Sequence, residues 1–485
     1  MPLASIRSEL ASTGADALLI EARQRLVRRW PNASGSVSAP RSRRIAFAVS
    51  MLLLMVFILA APTLFEAAFL PIVAALLLIP ALMRLWAAVS RRPPRSPPAM
   101  LSDAELPTYS VLVPLRDEAQ MVPQLALAMR GLDFPPEKLR VHFIVEETSG
   151  ATVDAVRREL SDPRFELIVV PDALPRTKPK ALNYALPMVT GQFLVVYDAE
   201  DIPEAGQLRL AASTFAEQPD IGCLQAELVV DNADESLLTA LFAGEYAGQF
   251  GLMLPLIARL GLPMPLGGTS NHFRVAALRG LGGWDSFNVT EDADLGVRLA
   301  RYGLRTATIA SQTGEEAPVT MRPWLKQRTR WMKGWMQTLI VHNGDWRQLL
   351  KDLGWRGFLG FQIYVGSMVL SAPLHTAFML SLLIGLGAGG IGQPLDLLDL
   401  VAAVTFLIGY AGPALLVVMG LRRLGRRDLL LRQLALPLYW ILHSVAAMLA
   451  LVELVRMPHF WAKTNHGETK RPRRAVGAAA PSQAE

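Results

Sequence analysis

The run IAFAVSMLLLMVFILAAPTLF, from Ile45 to Phe65, contains no charged residue. A helix needs about 20 apolar residues to cross the hydrocarbon core of a bilayer. A second run, Ala67 to Met83, follows after Glu66. Three more come late, at Phe358 to Gly390, Leu400 to Leu421 and Leu429 to Val455. Hydrophobic residues make up 52% of the 485 and charged residues only 19%, so these runs set the character of the chain. The pattern predicts an integral membrane protein with spans near both ends.

Basic residues orient the spans. Arg28, Arg29, Arg41, Arg43 and Arg44 precede the first, and Arg84, Arg91, Arg92 and Arg95 follow the second. By the positive-inside rule both flanks face the cytoplasm. The first residues lack the apolar core and small-residue cleavage site of a secretory signal. The late runs conflict with one another. Arg422, Arg423, Arg426 and Arg427 form one cytoplasmic-looking loop, and Lys463, Lys470, Arg471, Arg473 and Arg474 form another. A single span between them cannot satisfy both. Either Leu429 to Val455 is a hairpin broken near Pro437, or one cluster lies on the opposite side; a cytoplasmic tail is the expectation. The net charge of +6 sits beside apolar runs rather than along a groove, which argues against nucleic acid. The lone Cys223 excludes an intrachain disulfide and a multi-cysteine metal site, and it reads as a buried small hydrophobe.

Between the spans the composition becomes that of an α/β domain. YSVLVPL, VHFIVEE, FELIVVP and GQFLVVYDAED read as buried strands, with helical stretches at Gln120 to Met129, Thr152 to Leu160, Pro179 to Leu186 and Glu204 to Ala216. Alternation of this kind predicts a parallel sheet with helices on both faces and a ligand site beyond the carboxyl ends of the strands. The expected division is a basic tail (1–44), two spans (45–88), a Pro/Arg-rich linker (89–107), a catalytic domain (108–323), an amphipathic interface helix (324–357), a membrane region (358–455) and a C-terminal tail (456–485).

Acidic residues gather at those strand ends. In VVYDAED, Asp198, Glu200 and Asp201 crowd one strand terminus. Close carboxylates repel, and a divalent cation is the usual remedy. The plainer alternative is a solvated acidic turn capping the next helix. NVTEDADLGVRLARYG places Glu291 and Asp292 in the first turn of an amphipathic helix capped by Thr290. Asp292 suits a general base there, although a well-capped surface helix would look the same. PLGGTSNHFR is a glycine-containing turn that could approach a ligand through its backbone. Its His272 is either a substrate contact or a hydrogen-bonded structural histidine. In RTKPKALNYAL, Lys178 and Lys180 meet phosphate or are merely solvated. TGEEAP, Thr313 to Pro318, has no role that spacing assigns.

The stretch WLKQRTRWMKGW, Trp324 to Trp335, is the richest in tryptophan and base. On a helix, Gln327, Arg330 and Trp331 share one face. Trp324, Lys326, Lys333 and Trp335 suit a helix at headgroup depth. The Gln327-Arg330-Trp331 face suits another task, an arginine on a diphosphate beside an indole under a sugar.

VLVPLRDEA, VEET, KALN, DAED, GTSNHF, TED and QRTRW, in that order, resemble the membrane-embedded inverting family-2 glycosyltransferases, whose best-known members are the cellulose synthases. DAED, EEAP and KTNHG (Lys463 to Gly467) are similar to a curdlan-synthase-like and phage-adsorption-protein-like branch. The resemblance spans about Tyr109 to Gly467. It implies a cytoplasmic GT-A-type, Rossmann-like α/β domain set between transmembrane regions. It puts the nucleotide base on Glu146 or Glu147, a lysine near the nucleotide at Lys180, and the metal, Mg²⁺ or Mn²⁺, on Asp198, Glu200 and Asp201. It makes Asp292 the catalytic base with Glu291 beside it, Arg330 and Asp198 donor contacts, and Gln327, Trp331 and His272 acceptor contacts. HFWAKTNHG would act as a gating segment.

The implied function is an inner-membrane processive β-glycosyltransferase that uses a UDP-sugar, UDP-glucose first, to extend and export an exopolysaccharide such as a β-glucan. The expected partners are the UDP-sugar, a growing glycan, membrane lipid and export or regulatory proteins. One alternative is a non-processive transferase acting on a lipid, because five or six spans are few for a private polysaccharide channel. Another is a non-catalytic transport or receptor protein with a degenerate transferase domain.

Overall fold

The structure is a computed structural model that describes residues 14–60, 70–90, 98–385, 387, 397–463, 467 and 469. The Pro/Arg linker at 91–97, and Thr464, Asn465, His466 and Lys470 of the tail, lie outside the described residues.

Helix α1 (Ala15–Arg29) precedes two apolar helices, α2 (Arg41–Ala60) and α3 (Leu70–Val89). The α/β domain follows as β1 (Tyr109–Leu115), α4 (Val122–Arg130), β2 (Leu139–Glu146), α5 (Gly150–Glu159), β3 (Phe165–Val170), α6 (Lys178–Ala185), β4 (Phe193–Val196), β5 (Ile202–Pro203), α7 (Gln207–Glu217) and β6 (Ile221–Val230). Next come α8 (Leu237–Gly248), a π-helical turn (Gln249–Met253), α9 (Leu254–Arg259), β7 (Asn271–Arg274), α10 (Val275–Gly280), α11 (Glu291–Arg301), β8 (Arg305–Glu315) and α12 (Met321–Asn343). Three long apolar helices close the described chain: α13 (Trp346–Gly385), α14 (Leu397–Arg423) and α15 (Leu436–Arg456).

The eight strands form one sheet in the order β3-β2-β1-β4-β7-β6-β8-β5. The first four are parallel, as alternation predicts. The sheet as a whole is mixed, because β7 runs antiparallel to both β4 and β6, and β5 is antiparallel to β8. The four residues of β7 hide inside a segment that reads as a turn, too short to show periodicity. Strand alternation splits the core in two: Val111, Val113 and Leu115 pack on one face, Leu112 and Cys223 on the other. Cys223 is a buried free thiol, as its apolar context implies.

Among the described residues five segments are long and apolar enough to cross a membrane: Arg41–Leu59, Leu237–Arg259, Trp346–Leu374, Ala403–Arg423 and Arg427–Arg456. One of them stays with the α/β domain, and the last touches it at its two ends. Leu237–Arg259 is two-thirds buried inside the protein. The last begins where Gln433 Nε2 donates to Ala240 O, and ends where Lys333 donates to Glu453. Both ends of α15 therefore meet the domain, and no hairpin is needed. Pro437 sits in the first turn of α15, where its missing N–H costs nothing. The basic loop after α14 also meets the domain, through the ion pairs Arg423–Glu227 and Arg426–Asp234. Of the second basic cluster, Lys463 donates to Asp117 O, and Lys470, Arg471, Arg473 and Arg474 lie outside the described residues. In α13 the helix runs through Pro373, and the kink falls at Gly354 (φ 64°, ψ 172°).

Candidate active site

The carboxyl ends of β1, β2 and β4 open into a cavity of about 600 Å³. β4 stops at Val196, and Asp198, Ala199 and Glu200 line the mouth. Opposite, the first turn of α11 supplies Glu291 and Asp292. Gly268 separates the two acidic groups. A Cβ there would stand 3.0 Å from Asp292 Oδ2 and 4.0 Å from Asp198 Oδ2. The absence of a side chain brings the loop backbone between the carboxylates.

Asp292 Oδ1 accepts the Ala293 amide at 2.6 Å, leaving Oδ2 toward Gly268. Thr290 holds the N-cap position without a capping bond from its hydroxyl. It is instead pressed against α12: a Cβ on Gly334 would fall 2.3 Å from Thr290 Oγ1. That close approach seats the acidic turn against the helix carrying Gln327, Arg330 and Trp331. Burial, together with repulsion from Asp292, pushes the Glu291 carboxyl up to about 8. Burial also raises Asp292, against the opposing pull of Lys178 and Arg330. Lys178 makes an ion pair with Asp198 and donates to Gly268 O at 2.7 Å. Burial works against its charge, but Asp198, Glu291 and Asp292 more than offset that and raise it.

The structure brings Glu146, Asp198, Glu200, Glu291, Asp292, Gln327, Arg330 and Trp331 to one cavity. The Arg330 guanidinium lies 4.5 Å over the Trp461 ring of the tail. Gln327 Oε1 and Arg330 Nε are buried with no hydrogen bond among the described residues.

Four expected contacts lie elsewhere. His272 is fully buried in β7, bonded to the Tyr109 hydroxyl at 2.7 Å and to Gln207 Oε1 at 3.2 Å. Burial pushes it down to about 3, so it is a neutral core histidine, and alternation along β7 aims it away from the cavity. Glu147 is exposed past the end of β2 and accepts the Asp172 amide; Glu146 is the member of the pair that reaches the cavity. Lys180 is buried one step behind, its ammonium 2.9 Å from Glu146 Oε2. Asp201 turns inward, accepting the Asp198 amide at 2.7 Å and the Thr269 hydroxyl.

The interface reading of α12 needs correction too. Trp324 is completely buried, with Nε1 donating to the Tyr439 hydroxyl, and Lys333 is buried against Glu453, Met457 O and Phe460 O. These residues clamp α15 onto the domain. Arg328, between the expected residues, was not singled out from sequence; it bonds Glu245 and Tyr439 and lies 4.5 Å over the Trp331 ring.

A divalent cation is tested by the donor set. Asp198 and Glu200 offer hard oxygens, and their charges add to burial in raising Asp201 and Glu315. Among the described residues no three Asp, Glu, His or Cys side chains converge to hold an ion alone. The pair fits a cation that takes its remaining ligands from a substrate.

Residues 193–457, over half of the chain, match the family model for glycosyl transferase family group 2. The chain belongs to this family. It has a GT-A-like α/β core flanked by apolar helices. The probable glycosyltransferase YdaM of Bacillus subtilis (strain 168) is 26% identical over 281 residues, 55% of this chain and 66% of that protein. The beta-monoglucosyldiacylglycerol synthase of Trichormus variabilis (strain ATCC 29413 / PCC 7937) is 26% identical over 251 residues, 51% of this chain and 52% of that protein. Cellulose synthase 1 of Komagataeibacter xylinus is 25% identical over 249 residues, 49% of this chain but 15% of that protein. The chain thus spans between about half and two thirds of the first curated relatives it matches. The solved mannosyltransferase PcManGT from Pyrobaculum calidifontis, in complex with GDP-Man and Mn²⁺, aligns over 80% of this chain and 98% of its own with a TM-score of 0.52 at 21% identity, a likeness of fold.

Proposed function

We propose that this chain transfers a sugar from a UDP-sugar to an acceptor hydroxyl by one in-line, inverting displacement at the membrane face of the α/β domain. The observation that carries this reading is that Asp292 Oδ2 and Asp198 Oδ2 flank Gly268 inside one cavity that Gln327, Arg330 and Trp331 also line. The acceptor oxygen attacks C1, the C1–oxygen bond to the diphosphate breaks, and the nucleoside diphosphate leaves with the bonding pair. Asp292 Oδ2 takes the acceptor proton, its basicity raised by burial. Arg330 faces the diphosphate, Trp331 offers its ring to the acceptor sugar, and Glu146, fixed by Lys180, faces the nucleotide. A divalent cation held by Asp198 and Glu200 would neutralise charge on the departing diphosphate. Inversion gives a β linkage from the usual α-linked donor.

The basic loop after α14 lies on the domain side, which supports a cytoplasmic catalytic domain in a bacterial inner membrane. UDP-glucose is the first donor to test, because the relatives include a cellulose synthase and a glucosyldiacylglycerol synthase. Membranes containing the chain are given UDP-glucose, UDP-GlcNAc and GDP-mannose separately, and product size and linkage are analysed. A β-linked product from a UDP-sugar, lost in excess EDTA, is expected. An α-linked product, or full turnover in EDTA, contradicts the mechanism or its metal part respectively.

A further inference from the structure

The cavity does not end at the carboxylates. It continues between α3, α13, α14 and α15 as far as Met379, Leu380 and Leu383 on α13. From Ser367, at the domain end of this stretch, to Leu383 is about 24 Å of helix. An acyl tail spanning one leaflet, about 15 Å, plus a headgroup fills such a length. Leu380 and Leu383 are 45% and 58% exposed, so this end opens sideways between helices, toward lipid.

The chemistry of the walls separates a hydrocarbon from a sugar chain. Three hydroxyls in this part of the molecule already spend their protons inside the protein: Ser367 donates to Tyr364 O, Thr376 to Ser444, and Ser444 to Ala372 O. A glycan would bring several hydroxyls per sugar past Leu77, Met379, Leu380 and Leu383, whereas a hydrocarbon brings none. The lining contributed by α3 includes one cation, Arg84. Arg84 stands on α3, a turn before Ala87 and Ala88 enter the domain core, and so at headgroup level. The Tyr364 phenol stands near it, and among the described residues no carboxylate forms an ion pair with it. An arginine placed so near a bilayer calls for an anion.

We propose that the acceptor is a lipid with a phosphate and a free hydroxyl in its headgroup. Its acyl chain lies between α3, α13 and α14, its phosphate meets Arg84, and its hydroxyl reaches Asp292. This rests on the transfer reading above. The C1–diphosphate bond breaks, C1 bonds the headgroup oxygen, the proton passes to Asp292, and the nucleoside diphosphate carries off the electron pair. The product is a neutral sugar added to an anionic lipid.

The full chain is reconstituted in phosphatidylcholine nanodiscs doped with phosphatidylglycerol or, separately, with diacylglycerol. Two readouts are taken. One is radiolabel from UDP-glucose in the lipid extract; the other is cross-linking by a phosphatidylglycerol bearing a diazirine on its acyl chain. Label should enter phosphatidylglycerol, and cross-links should map to α13 and α14. Arg84→Gln should lower kcat/KM for phosphatidylglycerol by about tenfold or more and reduce the cross-link. Met379→Trp should displace the cross-link with UDP binding intact. Equal labelling of diacylglycerol, a water-soluble polymer as sole product, or cross-linking indifferent to Arg84→Gln would overturn the proposal. Arg84-dependent cross-linking without transfer would uphold the lipid site and fail the transfer reading instead.

Discussion

Lys178 and Asp198 form an ion pair at the mouth of β4, and the same ammonium holds the carbonyl of Gly268 at 2.7 Å. One cation thus ties the strand end, the glycine turn and, through space, the acidic turn of α11. Lys178→Met removes positive charge that pulls Asp292 down. The Asp292 carboxyl then rises further. A base must be ionised to act, so the acidic limb of the kcat–pH profile moves to higher pH. A limb that stays in place would show that Lys178 does not face the catalytic carboxylate.

Glu291, raised to about 8 by burial and by Asp292, carries its proton at neutral pH. Glu291→Gln imitates that neutral state. Turnover at pH 7 should stay within about tenfold of the wild type, and an inflection near pH 8 should vanish from the profile. Loss of transfer as deep as that of an Asp292 variant would make Glu291 the base.

Lys333 belongs to the fold rather than the lipid surface. Its three bonds, to Glu453 and two tail carbonyls, hold the end of α15 on α12. Lys333→Met should cost about 2–3 kcal/mol, moderated because Glu453 keeps some solvent contact. Lys326, exposed on the same helix, should change stability by less than about 0.5 kcal/mol when replaced by alanine. Thermal unfolding in detergent compares the two. Equal losses would return Lys333 to the interface role.

Much of this is legible in the sequence alone. The four parallel strands announce themselves through unbroken apolar runs, since strands buried on both faces have no polar side to show. The cavity-lining acids sit at strand and helix ends, where spacing found them. What sequence missed depended on neighbours distant along the chain. A short strand such as β7 has no period, so His272 looked like part of a turn. Trp324 and Lys333 have the composition of an interfacial helix, and only α15, more than 100 residues later, reveals them as buried. The acidic pair of TGEEAP had no reading until Glu316 was seen to accept the Gly467 and Thr469 amides at 2.9 Å, tying the tail beside the site.

The central claim is that Asp292 Oδ2 removes the acceptor proton. The direct measurement is single-turnover sugar transfer by purified Asp292→Asn, alongside UDP-sugar affinity. The asparagine keeps the shape and the amide contact but cannot take a proton. Transfer should fall by about 10²–10⁴-fold with donor affinity changed only a few-fold. Wild-type transfer by Asp292→Asn would contradict the account.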